Sequence, residues 1–272
     1  MPSSSFPSYL RNQVNSDNLP QGLIDEQEDW TMHPDLVLSG PSAQALVEAY
    51  LAAERFFQSE LFARLEVPDH EGVRALKNHG TRVAVLSLFI AEQINISRGS
   101  LTIDIRNMAM AALLHDCAKW LPHILPFVLS PEKFEKGSPE GEKAWRAFRR
   151  HAKAGGGILA KNNGVGILGE DADFRNTIAL TVAQHHERPD GNGYYQVPSS
   201  KLTPEAYVLI AADSADAMLD PNRVYNRAKT IDEVVKEMRE LPGQFHPQVT
   251  NSFLTIIPGS GLLLNHKQLI ER

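Results

Sequence analysis

The stretch QHHERPDGNGYY, Gln184 to Tyr195, ends an apolar segment with two neighbouring histidines and follows them at once with a glycine-rich turn. Adjacent helical residues point about 100° apart, so the two imidazoles cannot fill one core slot. Side by side they cost desolvation unless solvent or a metal ion satisfies their nitrogens. Further polar side chains recur on stripes that should be apolar. The stripes run Leu76, His79, Val83, Leu86, Ile90, Ile94; then Ile105, Met108, Ala112, His115, Lys119, with Asp116 beside them. They continue with Ala144, Phe148, His151, Gly155, Ile158; then Phe174, Ile178, Thr181, His185; then Ala206, Leu209, Asp213, Asp216. Each stripe aims a metal-competent group inward.

Taken singly, an inward histidine is more often a core residue bonded to a backbone carbonyl. Asp213 alone fits a helix cap or a pair with Lys119, and Glu187 with Arg188 reads as a solvated helix end. Taken together, one shared site explains every stripe. The other histidines (His33, His70, His123, His246 and His266) lie off the stripes and take no role.

Imidazole and carboxylate without thiolate suit Fe, Mn, Zn, Co or Ni. His79, His115, Asp116, His151, His185 and His186, with Asp213 in addition, exceed what one tetrahedral ion needs. Two ions about 3.5–4 Å apart fit better, with Asp116 as the bridge because His115 commits the same turn to the site. Such a pair lowers the pKa of a bound water to about 7, holds the hydroxide in line, and neutralises charge in phosphoester hydrolysis. Lys119, one turn beyond His115, adds a fixed positive charge aimed at a phosphate oxygen.

The elements that must position these groups are helices. From Ser42, Ala45, Leu46, Ala49, Ala53, Phe56 and Phe57 recur at helical spacing, and strict alternation is scarce throughout. The expected fold is all-α. Residues 1–40 read as a flexible arm and 41–72 as a helical extension. Residues 73–257 read as the main domain, 258–272 as a tail, and 191–200 as a loop. The 272 residues carry 42% hydrophobic and 22% charged side chains, ordinary for a soluble globular protein. A net charge of −6 argues against a nucleic-acid polymer as partner. Apolar runs such as Ala109 to Leu114 are too short to span a bilayer, and the start lacks a secretory core. The lone Cys117 excludes an intramolecular disulfide and fits a reducing cytoplasm.

The motifs resemble a family. His79 to Arg82 (H-x-x-R), His115-Asp116, His151 and Asp213 look like the HD superfamily of metal-dependent phosphohydrolases. HDCAK resembles HDxGK, HHERPDGNGYY resembles HHExxDGxGYP, ADSADAM is similar to ADxxDAM, and GQFHP to GxQFDP. This order resembles the HD-GYP subgroup of cyclic di-guanylate phosphodiesterases, from Lys77 to Phe253. The resemblance implies an HD-domain helical bundle, a bi- or trinuclear centre of iron or manganese, and hydrolysis of a cyclic dinucleotide. It implies His79, His115, Asp116, His151, His185, His186 and Asp213 as ligands, and Lys119 on the scissile phosphate. It also implies Arg223 on another phosphate or a base, with Tyr194 and Tyr195 in the substrate loop.

Departures are visible. Tyr195 stands in the place of the signature proline, and losing proline's fixed φ makes the loop less preset. Ala75 stands where trinuclear members carry a glutamate, and Glu71 is too far round the helix to substitute, so two metals are expected. His246 replaces the aspartate of QFDP, and Asn226 replaces a basic residue. Alternatives are an HD phosphohydrolase acting on another nucleotide, or a catalytically weak signalling module. A homodimer or a signalling-protein partner stays open.

Overall fold

The computed structural model describes residues 6–7, 24–25, 38–58, 71–129, 137–161, 168–169, 171–220, 228–241 and 243–257. Most of the arm, all of the tail, Arg223 and Asn226 lie outside these residues, as do the side chains of Phe56, Phe57, Glu71, Ala75 and Leu76. The fold is all-α apart from one short parallel pairing of β1 (Phe6–Pro7) with β2 (Ile24–Asp25). The helices are α1 (Gly40–Gln58), α2 (Glu71–Ser97), α3 (Ile105–Leu114), α4 (Leu125–Leu129) and α5 (Pro139–Arg149). They continue with α6 (His151–Ala160), α7 (Ala172–Gln184), α8 (Pro204–Leu219), α9 (Ile231–Glu240) and α10 (Pro247–Ile256). Among the described residues no helix is long and apolar enough to cross a membrane.

Helix starts follow local chemistry. Asp104, Ser138, Asp171 and Thr203 each accept from a backbone N–H of the first turn of the helix they precede. Thr230 and Glu233 form a reciprocal capping box at α9. Proline follows the cap at α5, α8 and α10, where its missing N–H costs nothing. At α10 the cap is His246, whose Nδ1 accepts from the Gln248 amide at 3.2 Å. His246, standing in the place of the QFDP aspartate, thus keeps a side-chain acceptor at the cap.

The long helix α2 is the axis of the bundle, against which α1, α3, α8 and α10 pack. It contributes Val83, Leu86, Leu88, Ile90 and Ile94 to the core. Helix α3 is apolar nearly all round, with Met108, Ala109, Met110, Ala111, Ala112 and Leu114 buried, as an inner helix must be. Small residues let backbones approach closely. On α8, Ala206, Ala211, Ala212 and Ala215 are fully buried, which brings Asp213 and Asp216 inward.

The stripe through Phe148 and His151 is not one helix. The chain breaks for a residue at Arg150, and α6 begins at His151. The Phe148 carbonyl at that break is taken by the His151 imidazole, 2.6 Å away. Periodicity ran on through the break because Arg150 keeps helical dihedrals, φ −71 and ψ −15.

Helices α6 and α7 meet at glycine. A Cβ on Gly156 would lie 2.5 Å from the Ala179 carbonyl oxygen and 2.8 Å from the Ala183 Cβ, whereas one on Gly157 would meet nothing within 4 Å. Gly156→Ala should therefore lower unfolding free energy by about 1–3 kcal/mol. Gly157→Ala should raise it by about 0.5–1 kcal/mol. Urea titrations of both variants check this; equal midpoints would show that α6 and α7 are not in close contact.

Candidate metal centre

The side chains expected as ligands converge although they span positions 79 to 213. His115 caps the C-terminal end of α3 and His185 that of α7, while His151 opens α6 directly after α5. Helix ends leave carbonyls without intrahelical partners. Each of these imidazoles uses one. The Nδ1 of His115 donates to Ala112 O at 2.7 Å, that of His151 to Phe148 O at 2.6 Å, and that of His185 to Val182 O at 2.6 Å. A carbonyl can only accept, so each Nδ1 carries the proton and Nε2 is the ring's free lone pair whenever the ring is neutral.

His79 lies inside α2, where carbonyls are already engaged, and it uses a carboxylate instead. Its Nδ1 is 2.7 Å from Asp216 Oδ2. Arg82, one turn further, donates to both oxygens of Asp216 at 2.7 and 2.8 Å. This is the physical content of the H-x-x-R motif: the arginine holds the carboxylate that orients the histidine. Asp216 was on the fifth stripe of the sequence yet absent from the expected ligand set. Its spacing of one turn from Asp213 was the available signal.

The remaining nitrogens face one another. His79 Nε2 and His115 Nε2 are 3.3 Å apart, and His151 Nε2 and His185 Nε2 are 3.1 Å apart. Nitrogens about 2.1 Å from a shared ion, roughly 90–110° apart, are separated by about 3.0–3.4 Å. Asp116 lies between the two pairs. Its Oδ1 is 3.3 Å from His151 Nε2 and 3.6 Å from His185 Nε2. Its Oδ2 is 3.3 Å from His115 Nε2 and 3.6 Å from His79 Nε2. Asp213 Oδ1 is 3.1 Å from His79 Nε2, and its Oδ2 is 3.7 Å from His186 Nδ1. His151, His185 and His186 form one set of donor atoms within reach of a cation, and His79, His115 and Asp213 another.

The electrostatics fit cations. Asp116 Oδ1 and His186 Nε2 are buried without a hydrogen-bond partner, an arrangement that is costly without a ligand. Burial, the Asp116 contact notwithstanding, holds the His151 imidazole down at about 4, so it is neutral at ordinary pH. Burial, and then the neighbouring His185, pushes His186 well down too. For Asp116 burial opposes ionisation, but His115 and Lys119 outweigh it and hold the carboxyl well below the usual range. For Asp213 burial is likewise outweighed, by His79 and His186. Neutral His151 and His186 beside the ionised carboxylates of Asp116 and Asp213 are donors that a divalent cation can use.

Lys119 is buried beside the centre. Its ammonium pairs with Asp116 Oδ2, not with Asp213, and lies 5.3 Å from the Phe148 ring centroid. Tyr194 stacks over His186 with ring centroids 4.5 Å apart, and Tyr195 lies beyond it with centroids 6.5 Å apart. Arg223 lies outside the described residues. One expectation is corrected. Glu187 is no solvated helix end but is 1% exposed, because its carboxylate accepts from the amides of Tyr195 and Val197. Only Arg188 of that pair faces solvent, where it pairs with Asp190.

The family model of the HD domain matches residues 77–218. The chain is 30% identical over 204 residues to the cyclic di-GMP phosphodiesterase response regulator RpfG of Xanthomonas campestris pv. campestris. That match covers 74% of this chain but 47% of the relative, so the chain spans about half the relative's length. Among solved structures, an HDG"Y"P protein from Bdellovibrio bacteriovorus superposes with a TM-score of 0.50 at 17% identity, covering 80% of this chain and 70% of the other. That likeness is one of fold. With the family model spanning just over half of its length and the candidate histidine and aspartate ligands converging at one centre, the chain belongs to the HD domain family.

Proposed function

We propose that this chain is a metal-dependent phosphodiesterase that uses two divalent ions, iron or manganese, to hydrolyse cyclic di-GMP. The observation that carries the reading is the position of Asp116, whose two oxygens address two separate sets of ligands. His151, His185 and His186 would hold one ion, His79, His115 and Asp213 the other, with Asp116 shared. When bound, such ions supply an activated water and neutralise charge on a phosphodiester. RpfG, with its named activity, supports cyclic di-GMP as the substrate.

The chain's own groups do the rest. Arg82 and Asp216 fix the His79 ring, and helix-end carbonyls fix the imidazoles of His115, His151 and His185, so these groups need little rearrangement. Lys119 is the cation nearest Asp116 and is placed to neutralise a phosphate oxygen. Tyr194 forms the wall over His186, the more exposed histidine of its set with a side chain 23% accessible. Arg223 is assigned a second phosphate or a base from the family resemblance alone.

The protein loaded with manganese or iron should convert cyclic di-GMP to the linear dinucleotide or to GMP, as followed by chromatography. Tight binding without turnover, or turnover of a mononucleotide alone, would contradict the assignment. Lys119→Met should lower kcat by about 10²–10³-fold. Elemental analysis should find close to two ions per chain in the wild type and fewer in Asp116→Ala; equal content would remove the bridging role.

Metal uptake should also be pH-linked. Burial lowers the His79 pKa, but Asp213 and Asp216 outweigh it and raise it to about 9. The metal-free ring is then protonated at neutral pH, and a cation must displace that proton. Apparent affinity should rise as pH climbs toward about 9, with proton release at pH 7 measurable in weakly buffered solution. Affinity independent of pH over this range would show that His79 is not a ligand.

A further inference from the structure

The departure at Tyr195 has a built environment. The Tyr195 amide donates to Glu187 Oε1 at 2.8 Å and the Val197 amide to Glu187 Oε2 at 3.0 Å. Between them Gln196 has a φ of +56, a left-handed conformation unfavourable for a residue with a side chain. That conformation turns the flanking N–H groups to one side, making a concave site for an anion. The anion is the buried Glu187 carboxylate, directly after the ligand His186. Gly193 is needed for the closure: a Cβ there would lie 2.4 Å from Glu187 Cα and 2.7 Å from the Arg188 amide nitrogen.

Tyr195 is also tied on its other side. Its phenol donates to the Arg149 carbonyl at 2.8 Å, and the Lys153 ammonium lies 3.7 Å from its ring centroid. Arg149 in turn donates to the Tyr194 carbonyl at 2.5 Å and carries its guanidinium 4.6 Å from the Tyr194 ring centroid. The loop is thus anchored to the end of α7 through Glu187 and to the α5–α6 junction through the phenol. Between these anchors is Tyr194, stacked on His186. Proline has no N–H. The signature's own residue at this position could not make the bond to Glu187 Oε1, and would leave that buried oxygen without its donor.

We propose that Tyr195 is a positioning residue, which through its amide and its phenol holds Tyr194 over His186 and presets the face of the centre that meets substrate. The tyrosine replaces a ring-fixed φ by hydrogen bonds on two sides of the loop. Restoring the signature with proline should loosen the loop. The kinetic part rests on the phosphodiesterase reading; the backbone part does not.

The test uses the metal-loaded full chain as wild type, Tyr195→Phe and Tyr195→Pro, with far-UV circular dichroism as the check on folding. Amide exchange is read at residues 193–197 and steady-state kinetics with cyclic di-GMP. Tyr195→Phe keeps the amide and loses the phenol bond, so KM should rise about 2–10-fold with kcat changed less, and Val197 should stay protected. Tyr195→Pro should cut Val197 protection by about tenfold or more and raise KM further. A Tyr195→Pro protein with wild-type Val197 protection would overturn the proposal. So would a Tyr195→Phe protein with unchanged KM, which keeps the question decidable if the proline variant does not fold. If the wild type hydrolyses nothing, the phosphodiesterase reading fails, while loss of Val197 protection in Tyr195→Pro still supports the anchoring role.

Discussion

The centre depends on where three helices stop. An imidazole at a helix end can give its Nδ1–H to a carbonyl that the helix leaves unused, and His115, His151 and His185 all do so. That bond decides the tautomer, the ring plane and the direction of Nε2 at once. A helix one residue longer would supply its own N–H to the carbonyl and turn the ring away. His79 is inside a helix and needs the Asp216–Arg82 pair to do the same service. The bundle's role is to bring those ends together around Asp116.

Enclosing so many polar groups is affordable only when their charges are matched. Ionised Asp116 and Asp213 stand among imidazoles, and Lys119 and Arg82 bring positive charge to the same region. Buried acceptors that face one another, Asp116 Oδ1 and the Nε2 atoms of His151 and His185, repel unless a cation is shared between them. The arrangement has the mark of a site selected for binding, since apolar packing of the same volume would be more stable.

The fold class and the inward placement of the candidate ligands were legible in the sequence because both follow from short-range rules. Helical periodicity placed His79, His115, His151, His185 and Asp213 inward, and all five side chains are buried. Three features were not legible. The break at Arg150 left the period undisturbed. Glu187 looked solvated because its burial depends on two amides eight and ten residues later, turned inward by a left-handed Gln196 that no propensity favours. Asp216 acts through His79, and a group that orients a ligand carries no signal of its own beyond lying on the inward face.

The most direct test is a crystal structure of the manganese-loaded protein with anomalous difference maps. Two peaks about 3.5–4 Å apart should appear, one on each side of the Asp116 carboxylate. A single peak, or peaks away from the four imidazoles of His79, His115, His151 and His185, would contradict the account.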